Sequence, residues 1–108
     1  MSTFIGEFEQ MVLLAIMQLR EEAYAITVRE LLEERVERSV SRGALYRTLD
    51  RLQEKSLLRY QVDAPTAERG GHARRCFQVT PEGVAALKES RAALLTLWDG
   101  LEEELSRS

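Results

Sequence analysis

The sequence contains a single cysteine, Cys76, and a single histidine, His72, among its 108 residues. One thiol cannot form an internal disulfide framework, and its isolation fits a reducing cytoplasm. No cluster of cysteine, histidine or acidic side chains surrounds His72 in the sequence, so we do not expect it to bind a metal. We interpret Cys76 as a free structural thiol and expect no cofactor.

The sequence also lacks a long hydrophobic run. Its longest purely apolar stretch, Met11 to Met17, is far shorter than the roughly 20 residues that cross a membrane. The first residues lack the basic segment and cleavage site of a signal peptide. These absences predict a soluble, cytoplasmic protein with no membrane partner, and the length predicts one domain.

Positive charge is scarce over the whole chain but concentrated in its middle. The formal net charge is -3, yet residues 38–75 contain nine basic and four acidic side chains, a net charge of +5. The flanking residues 1–37 and 76–108 are acidic, with net charges of -5 and -3. Because a polyanion responds to the local field, this distribution indicates a nucleic-acid partner for the middle segment.

The basic middle begins with a segment that has the pattern of an amphipathic helix. Ser41 is suited to be its N-cap, and Leu45, Leu49 and Leu52 follow at spacings of four and three residues. These leucines predict a buried stripe. The opposite face and its flanks are small, basic or aromatic near the start of the helix, with Arg42, Gly43, Tyr46, Arg47 and Arg51.

That exposed face has two interpretations. It is either an ordinary solvated surface or a face that lies in a DNA groove. In the second case, Gly43 lets a phosphate backbone approach, Tyr46 and Arg47 contact bases, and Arg42 and Arg51 contact phosphates. The neighbouring segments decide between the two.

Two helices are predicted before this one, at residues 7–20 and 24–35. The first is apolar around most of its circumference. In the second, the expected core face comprises Ile26 and Leu31 with Leu32 or Val28. A short connection, residues 36–40, leads to the basic helix, so the order is that of a helix-turn-helix.

A hairpin is predicted directly after the basic helix. Residues 57–62 and 74–79 have the pattern of short strands, with Phe77 and Val79 on one face of the second strand and Cys76 and Gln78 on the other. The connection between them is rich in glycine and cations. Beside a recognition helix such a hairpin is a wing, which we expect to contact DNA. Its predicted contacts are Arg69, Gly71, His72, Arg74 and Arg75.

The last segment is predicted to be a long helix that carries an apolar seam. Thr80 and Pro81 are typical of a helix start, and the helix is expected to run to about Leu105, with its last turn bent or frayed at Gly100. The seam is too long for its own small domain and predicts a second copy of the chain as its partner. Its residues are Val84, Leu87, Leu94, Trp98, Leu101 and Leu105.

A set of residues spread over nearly the whole chain carries a family resemblance. They are Ala23-Tyr24, Ser41-Arg42-Gly43-Ala44-Leu45-Tyr46, Leu49, Arg51, Leu52, Glu54-Lys55, Leu57-Leu58, Gly70-Gly71, Arg74-Arg75, Phe77, Val79, Thr80 and Gly83. With them the sequence resembles the PadR family of winged-helix transcriptional regulators. The resemblance implies a homodimer that binds an inverted-repeat operator, usually as a repressor, and the compact subclass with one C-terminal dimerisation helix.

The chain departs from the family pattern at three places. Ala25 and Ser56 stand where the family usually has glycine, and Cys76-Phe77 replaces a pair of tyrosines on the second wing strand. A non-glycine residue in a left-handed helix cap costs about 1 kcal/mol, which makes Ser56 a point of expected strain. One tyrosine hydroxyl is thereby lost, so we do not assign to this chain any DNA or effector contact that this hydroxyl makes in relatives.

The predicted fold is a mainly α winged helix-turn-helix with a small wing. Residues 1–80 are expected to be the DNA-binding part and residues 81–108 a dimerisation helix on the same domain. A winged-helix module that binds an acidic protein is the alternative function. An enzyme is not expected because no catalytic constellation is present. Trp98 is either an anchor of the dimer interface or part of a site for a small aromatic effector.

Overall fold

The computed structural model describes residues 4–67, 70 and 73–107. The secondary structure has the order predicted for a winged helix-turn-helix, and it begins with three helices. They are α1 (Glu7–Leu19), α2 (Ala25–Arg35) and α3 (Arg42–Glu54). A two-stranded antiparallel sheet follows, formed by β1 (Leu58–Asp63) and β2 (Arg74–Val79). The chain continues with α4 (Pro81–Trp98) and a short α5 (Glu102–Ser106). No helix within the described ranges is long and apolar enough to cross a membrane.

One hydrophobic core joins the first three helices to the wing. The predicted stripe of α3 is confirmed, since Leu45, Leu49 and Leu52 are all buried. Opposite them lie buried side chains of α1, α2 and β2. They are Val12, Leu13, Ile16, Val28, Leu32 and Phe77.

The core face predicted for α2 was wrong at one position. Val28 and Leu32 are buried, but Ile26 is 65% exposed. A helix turns about 100° per residue, so Ile26 lies about 200° from Val28 and cannot share its face. Once Val28 and Leu32 pack against the core, Ile26 must point outward.

The second wing strand forms at the predicted residues, and it is covered on both faces at its centre. Both Cys76 and Phe77 are buried. A 3-10 turn, Arg20–Glu22, lies against the strand, and the Glu21 carbonyl accepts a hydrogen bond from the Cys76 thiol at 3.4 Å. The next amide, that of Phe77, donates to the Ala23 carbonyl at 2.8 Å. The segment before α2 therefore covers the face that a two-stranded wing would otherwise leave to solvent.

The exit of α3 contains the strain expected at Ser56, which has φ 63°. The Ser56 amide donates to the Gln53 carbonyl and the Leu57 amide to the Leu52 carbonyl, both at 2.9 Å. These two bonds form a Schellman cap, which favours glycine at the left-handed residue. Thr80 anchors the same point, because its hydroxyl donates to the Ser56 carbonyl at 2.7 Å.

The substitution Ser56→Gly is expected to stabilise the protein by up to about 1 kcal/mol. Relief of the left-handed strain exceeds the extra entropy that glycine gains in the unfolded chain. Urea unfolding followed by circular dichroism measures the difference. Ser56→Ala is the matched control, since it keeps the strain and should bring no gain. Equal stability of the glycine and alanine variants would contradict this explanation.

The start of α4 agrees with the prediction, but its end does not. Thr80 caps the helix by accepting a hydrogen bond from the Gly83 amide at 3.0 Å, and Pro81 begins it. A Cβ on Gly83 would collide with the Leu57 carbonyl oxygen and the Val79 side chain, so this glycine permits a close approach to the wing. The predicted continuation to Leu105 was wrong. The helix ends at Trp98, and Gly100 adopts φ 85°.

Candidate nucleic-acid interface

The outer surface of α3 has the arrangement predicted from its sequence. The Ser41 hydroxyl accepts a hydrogen bond from the Ala44 amide at 3.1 Å, which fixes where the helix begins. Arg42, Gly43 and Arg47 are exposed, and Tyr46 lies at the edge of exposure. The helix thus presents two guanidinium groups and a bare backbone position to solvent while its leucines hold it in the core.

Two clefts lie beside this surface. The larger, which we call the wing groove, has a volume of about 440 Å³ and lies between the helices and the hairpin. The smaller, which we call the helix cleft, has about 230 Å³ and lies between α2 and α3. The wing groove includes Ile26, Tyr46, Val62, Arg74 and Arg75. The helix cleft includes Ile26, Arg29, Arg42 and Tyr46.

The structure therefore brings residues from three separate segments to one concave face. Tyr46 of α3 lines the same groove as Arg74 and Arg75 of β2. Ile26 belongs to the same face and was missed, because its sequence pattern resembled that of a core residue. The predicted contacts Arg69, Gly71 and His72 fall outside the described residues.

Arg74 has an internal role that the sequence did not reveal. Its guanidinium carbon lies 3.6 Å from the centre of the Tyr24 ring, in cation–π contact. The Tyr24 hydroxyl in turn donates to Asp63 Oδ2 at 2.9 Å, and this bond together with burial raises the pKa of Tyr24. Arg74 pairs with Asp63 across the sheet, at the loop end of the two strands, so the three residues fasten that end of the wing to the start of α2.

Arg75 is placed differently and remains available at the surface. It is exposed, and its guanidinium carbon lies 5.1 Å from the centre of the Tyr60 ring. Of the two adjacent wing arginines, Arg75 is thus the more exposed, and it also lines the wing groove.

Arg51 lies close to a buried carboxylate of α1. Its Nη1 is 4.0 Å from Glu9 Oε2, and Lys55 Nζ is 2.9 Å from the same oxygen. The Gly6 amide donates to Glu9 Oε1 at 2.9 Å. Burial opposes ionisation of Glu9, but these hydrogen bonds and the two cations outweigh it and hold the pKa of Glu9 below its usual range. The contact was not predictable from spacing, because Glu9 and Arg51 are far apart in the sequence.

The substitution Glu9→Gln is expected to destabilise the protein by about 1.5–3 kcal/mol at neutral pH, the range for a hydrogen bond to a charged group. Because the folded-state pKa is lowered, the contribution of Glu9 is present above its unfolded pKa and is lost as the pH falls through the folded value. Urea unfolding of wild type and variant between pH 7 and pH 2 measures this. The two stabilities should converge in acid.

Glu7→Gln is the matched control on the same helix. The Glu7 side chain is 78% exposed and pairs with Arg38 at 3.0 Å, whereas that of Glu9 is 7% exposed. An exposed pair contributes less than about 1 kcal/mol. A Glu9→Gln deficit that persists unchanged to pH 2 would show that the ion pair is not its cause.

An apolar groove of about 480 Å³ lies between α1 and α4 on another side of the molecule. We call it the seam groove. It contains the predicted seam residues Val84, Leu87, Leu94 and Trp98, of which Leu94 and Trp98 are about half exposed. Other apolar residues were missed and complete it. They are Leu14 and Met17 of α1 and Leu95 of α4.

The predicted seam residues Leu101 and Leu105 follow the break at Gly100 and so leave the axis of α4. Both are exposed in the single chain. Within the described ranges, no group of three or more histidine, cysteine or acidic residues is arranged to hold a metal ion.

The chain was compared with known proteins. Residues 13–89 match the model of the transcriptional regulator PadR-like family. A PadR-like transcription factor from Bacteroides fragilis is 29% identical with a TM-score of 0.67, and covers 93% of this chain and 87% of its own. A PadR family regulator from Eggerthella lenta is 27% identical with a TM-score of 0.69, at 94% and 88% coverage. A PadR-like regulator from Bacillus cereus shares the fold, with 24% identity, a TM-score of 0.71 and 91% and 90% coverage. No curated protein matches significantly.

Proposed function

Because the chain belongs to the PadR-like family of transcriptional regulators, whose members are not enzymes, we propose that it binds an inverted-repeat operator as a homodimer and represses transcription. The observation that carries this proposal is the exposed start of α3. The opposite side of this helix is buried in the core, and its exposed side carries Arg42, Gly43, Tyr46 and Arg47. A helix so presented fits the major groove of DNA.

We assign different roles to the residues of this face. We propose that Arg47 and Tyr46 contact base edges and that Arg42 contacts a phosphate. Arg75 is the proposed DNA contact of the wing strand, and Arg69, Gly71 and His72 are further proposed contacts at the wing tip. Ser41 positions the start of the helix through its cap. Arg74 and Arg51 add positive charge but also hold Tyr24 and Glu9, so their loss would combine two effects.

The homodimer is proposed from the seam groove. Its apolar side chains from α1 and α4 form a continuous surface that a second copy would bury. A two-fold dimer formed through this surface would present two α3 helices, one to each half-site, as an inverted repeat requires. We therefore divide the chain into a DNA-binding part, residues 1–80, and a dimerisation part, residues 81–108, that share one domain. We also propose that the regulator acts in the cytoplasm.

Recovery of bound DNA is the experiment that tests the function. Genomic fragments retained by the purified protein are sequenced, and binding to the enriched sequence is measured from 50 to 200 mM salt. We expect a palindromic motif and an affinity that falls steeply with salt. A reporter under that promoter should be repressed by the protein. Salt-insensitive binding to an acidic protein, with no DNA retained, would favour an interaction module instead.

The substitution Gly43→Ala separates DNA contact from stability. A Cβ at this position meets only the flexible end of Arg47, at 3.2 Å, so the fold tolerates it. Alanine should raise the free energy of unfolding by about 0.5–1 kcal/mol, because glycine is a poor helix former. We expect operator affinity to fall all the same, since the methyl group occupies the space of a phosphate backbone. Unchanged affinity would place the phosphate elsewhere.

We assign Trp98 to the dimer interface rather than to an effector site. It lies in the seam groove among Leu94, Leu95 and Leu87, where a large apolar side chain contributes most by being covered. A small aromatic effector is the competing proposal. Ligand quenching of Trp98 fluorescence that is coupled to release from operator DNA would support it. Quenching without release would indicate only adventitious binding.

A further inference from the structure

Ile26 is an apolar side chain with no role in the core. It occupies the second position of α2 and exposes 65% of its surface, while Val28 and Leu32 of the same helix are buried. An exposed isoleucine adds no hydrophobic stabilisation to the fold, because its apolar area stays in water. We therefore expect Ile26 to contribute to the free energy of binding, when a partner covers it.

The surroundings of Ile26 indicate what that partner is. Ile26 and Tyr46 both line the wing groove and the helix cleft, so they form the ridge between the two. Arg42 lines the helix cleft on one side of this ridge, and Arg75 lines the wing groove on the other. An apolar ridge between two cations matches a duplex groove, where base edges lie between two phosphate strands.

We propose that Ile26 contacts the 5-methyl group of a thymine in the major groove and thereby contributes to sequence preference. The inference rests on the proposed function, since it requires α3 to lie in that groove. A charged phosphate makes no favourable apolar contact with an aliphatic side chain. The thymine methyl is the apolar group that the major groove displays. Ile26 thus adds a contact from α2 to those of α3.

Replacement of thymine by uracil tests this contact directly, because uracil lacks only the methyl group. The probe is the shortest duplex selected from random-sequence DNA by the full-length protein, with deoxyuridine placed at one thymine position of each half-site in turn. At one position we expect the affinity to fall about fourfold per half-site, the value of one buried methyl group. Ile26→Ala should weaken binding to the thymine duplex and show no further loss with uracil at that position.

Val36→Ala is the matched control. Val36 is a half-exposed aliphatic residue at the opposite end of α2, so this variant should keep the full dependence on the methyl group. An equal uracil effect in wild type and Ile26→Ala would overturn the assignment of Ile26. Indifference of the wild type to every uracil substitution would overturn the methyl contact itself. Both results leave the proposed function standing, whereas a wild type that selects no DNA would overturn both.

Discussion

Simultaneous replacement of Arg42 and Arg47 by alanine is expected to lower operator affinity by at least about 100-fold. A good base contact contributes about 1–3 kcal/mol of discrimination, and each phosphate contact adds a salt-dependent term. A two-fold dimer loses both contacts twice. Because both arginines are exposed, thermal stability should change by less than about 0.5 kcal/mol. Fluorescence anisotropy of a labelled operator measures the loss.

The single variants separate the two proposed roles. Arg42→Ala should reduce the slope of log affinity against log salt by about 0.9 per half-site, because one phosphate contact disappears. Arg47→Ala should instead reduce the difference in affinity between operator and random DNA. Slopes and preferences that change equally in both variants would contradict this division.

A control must remove the same charge from another surface. Replacement of Arg20 and Arg35 by alanine does so, since both are exposed and lie outside α3. It should change operator affinity only slightly. Arg51 is less suitable as a probe of DNA contact, because its loss also removes one cation from the buried Glu9 carboxylate. Similar losses in the Arg20/Arg35 variant would mean that total charge, not the face of α3, governs binding.

The substitution Leu94→Glu is expected to convert the homodimer to a folded monomer. Leu94 is 51% exposed in the single chain and lines the seam groove. Its substitution should therefore affect the proposed interface more than the stability of the fold. In a two-fold dimer each copy buries one added carboxylate, and burial of an unpaired charge costs several kcal/mol. Sedimentation velocity at micromolar concentration should show a dimer for the wild type and a monomer for the variant.

The same variant should lose operator affinity although its DNA-contacting face is intact. A monomer engages one half-site and forfeits the gain from binding two linked sites, which amounts to about 100-fold or more. Leu97→Glu is the matched control, because Leu97 lies on the same helix, is 74% exposed and is outside the seam groove. A dimeric Leu94→Glu protein, or a monomeric Leu97→Glu protein, would relocate the interface.

Features that depend on neighbours in the chain were predictable from the sequence. The N-caps Ser41 and Thr80, the leucine stripe of α3 and the wing strand Arg74–Val79 all appear as expected. The strained cap at Ser56 was predictable as well, since a Schellman motif is a local structure. The basic middle segment, and with it the kind of partner, is likewise a property of composition.

The features that the sequence did not reveal have a different cause. Ile26 is as apolar as a core residue, and nothing near Cys76 or Arg74 in the sequence indicates which groups these two side chains contact. Contacts made by segments far apart in the sequence determine all three: the phase in which α2 meets the core, the turn that covers β2, and the Tyr24 ring under Arg74. The end of α4 differs for a local reason. Gly100 predicted a bend in the helix, whereas the helix stops before it.

The sequence by itself thus determined the order of the elements, the stripe that α3 buries and the charge of its exposed face, because capping, helical periodicity and composition act over a few residues. Only the tertiary structure decided which exposed residues share one concave face. It placed Ile26 and Arg75 in the same groove as Tyr46, and it brought Arg51 within 4.0 Å of Glu9 and Arg74 over the Tyr24 ring. The physical reason is that a side chain's partners are set by the packing of whole elements, which no local pattern specifies.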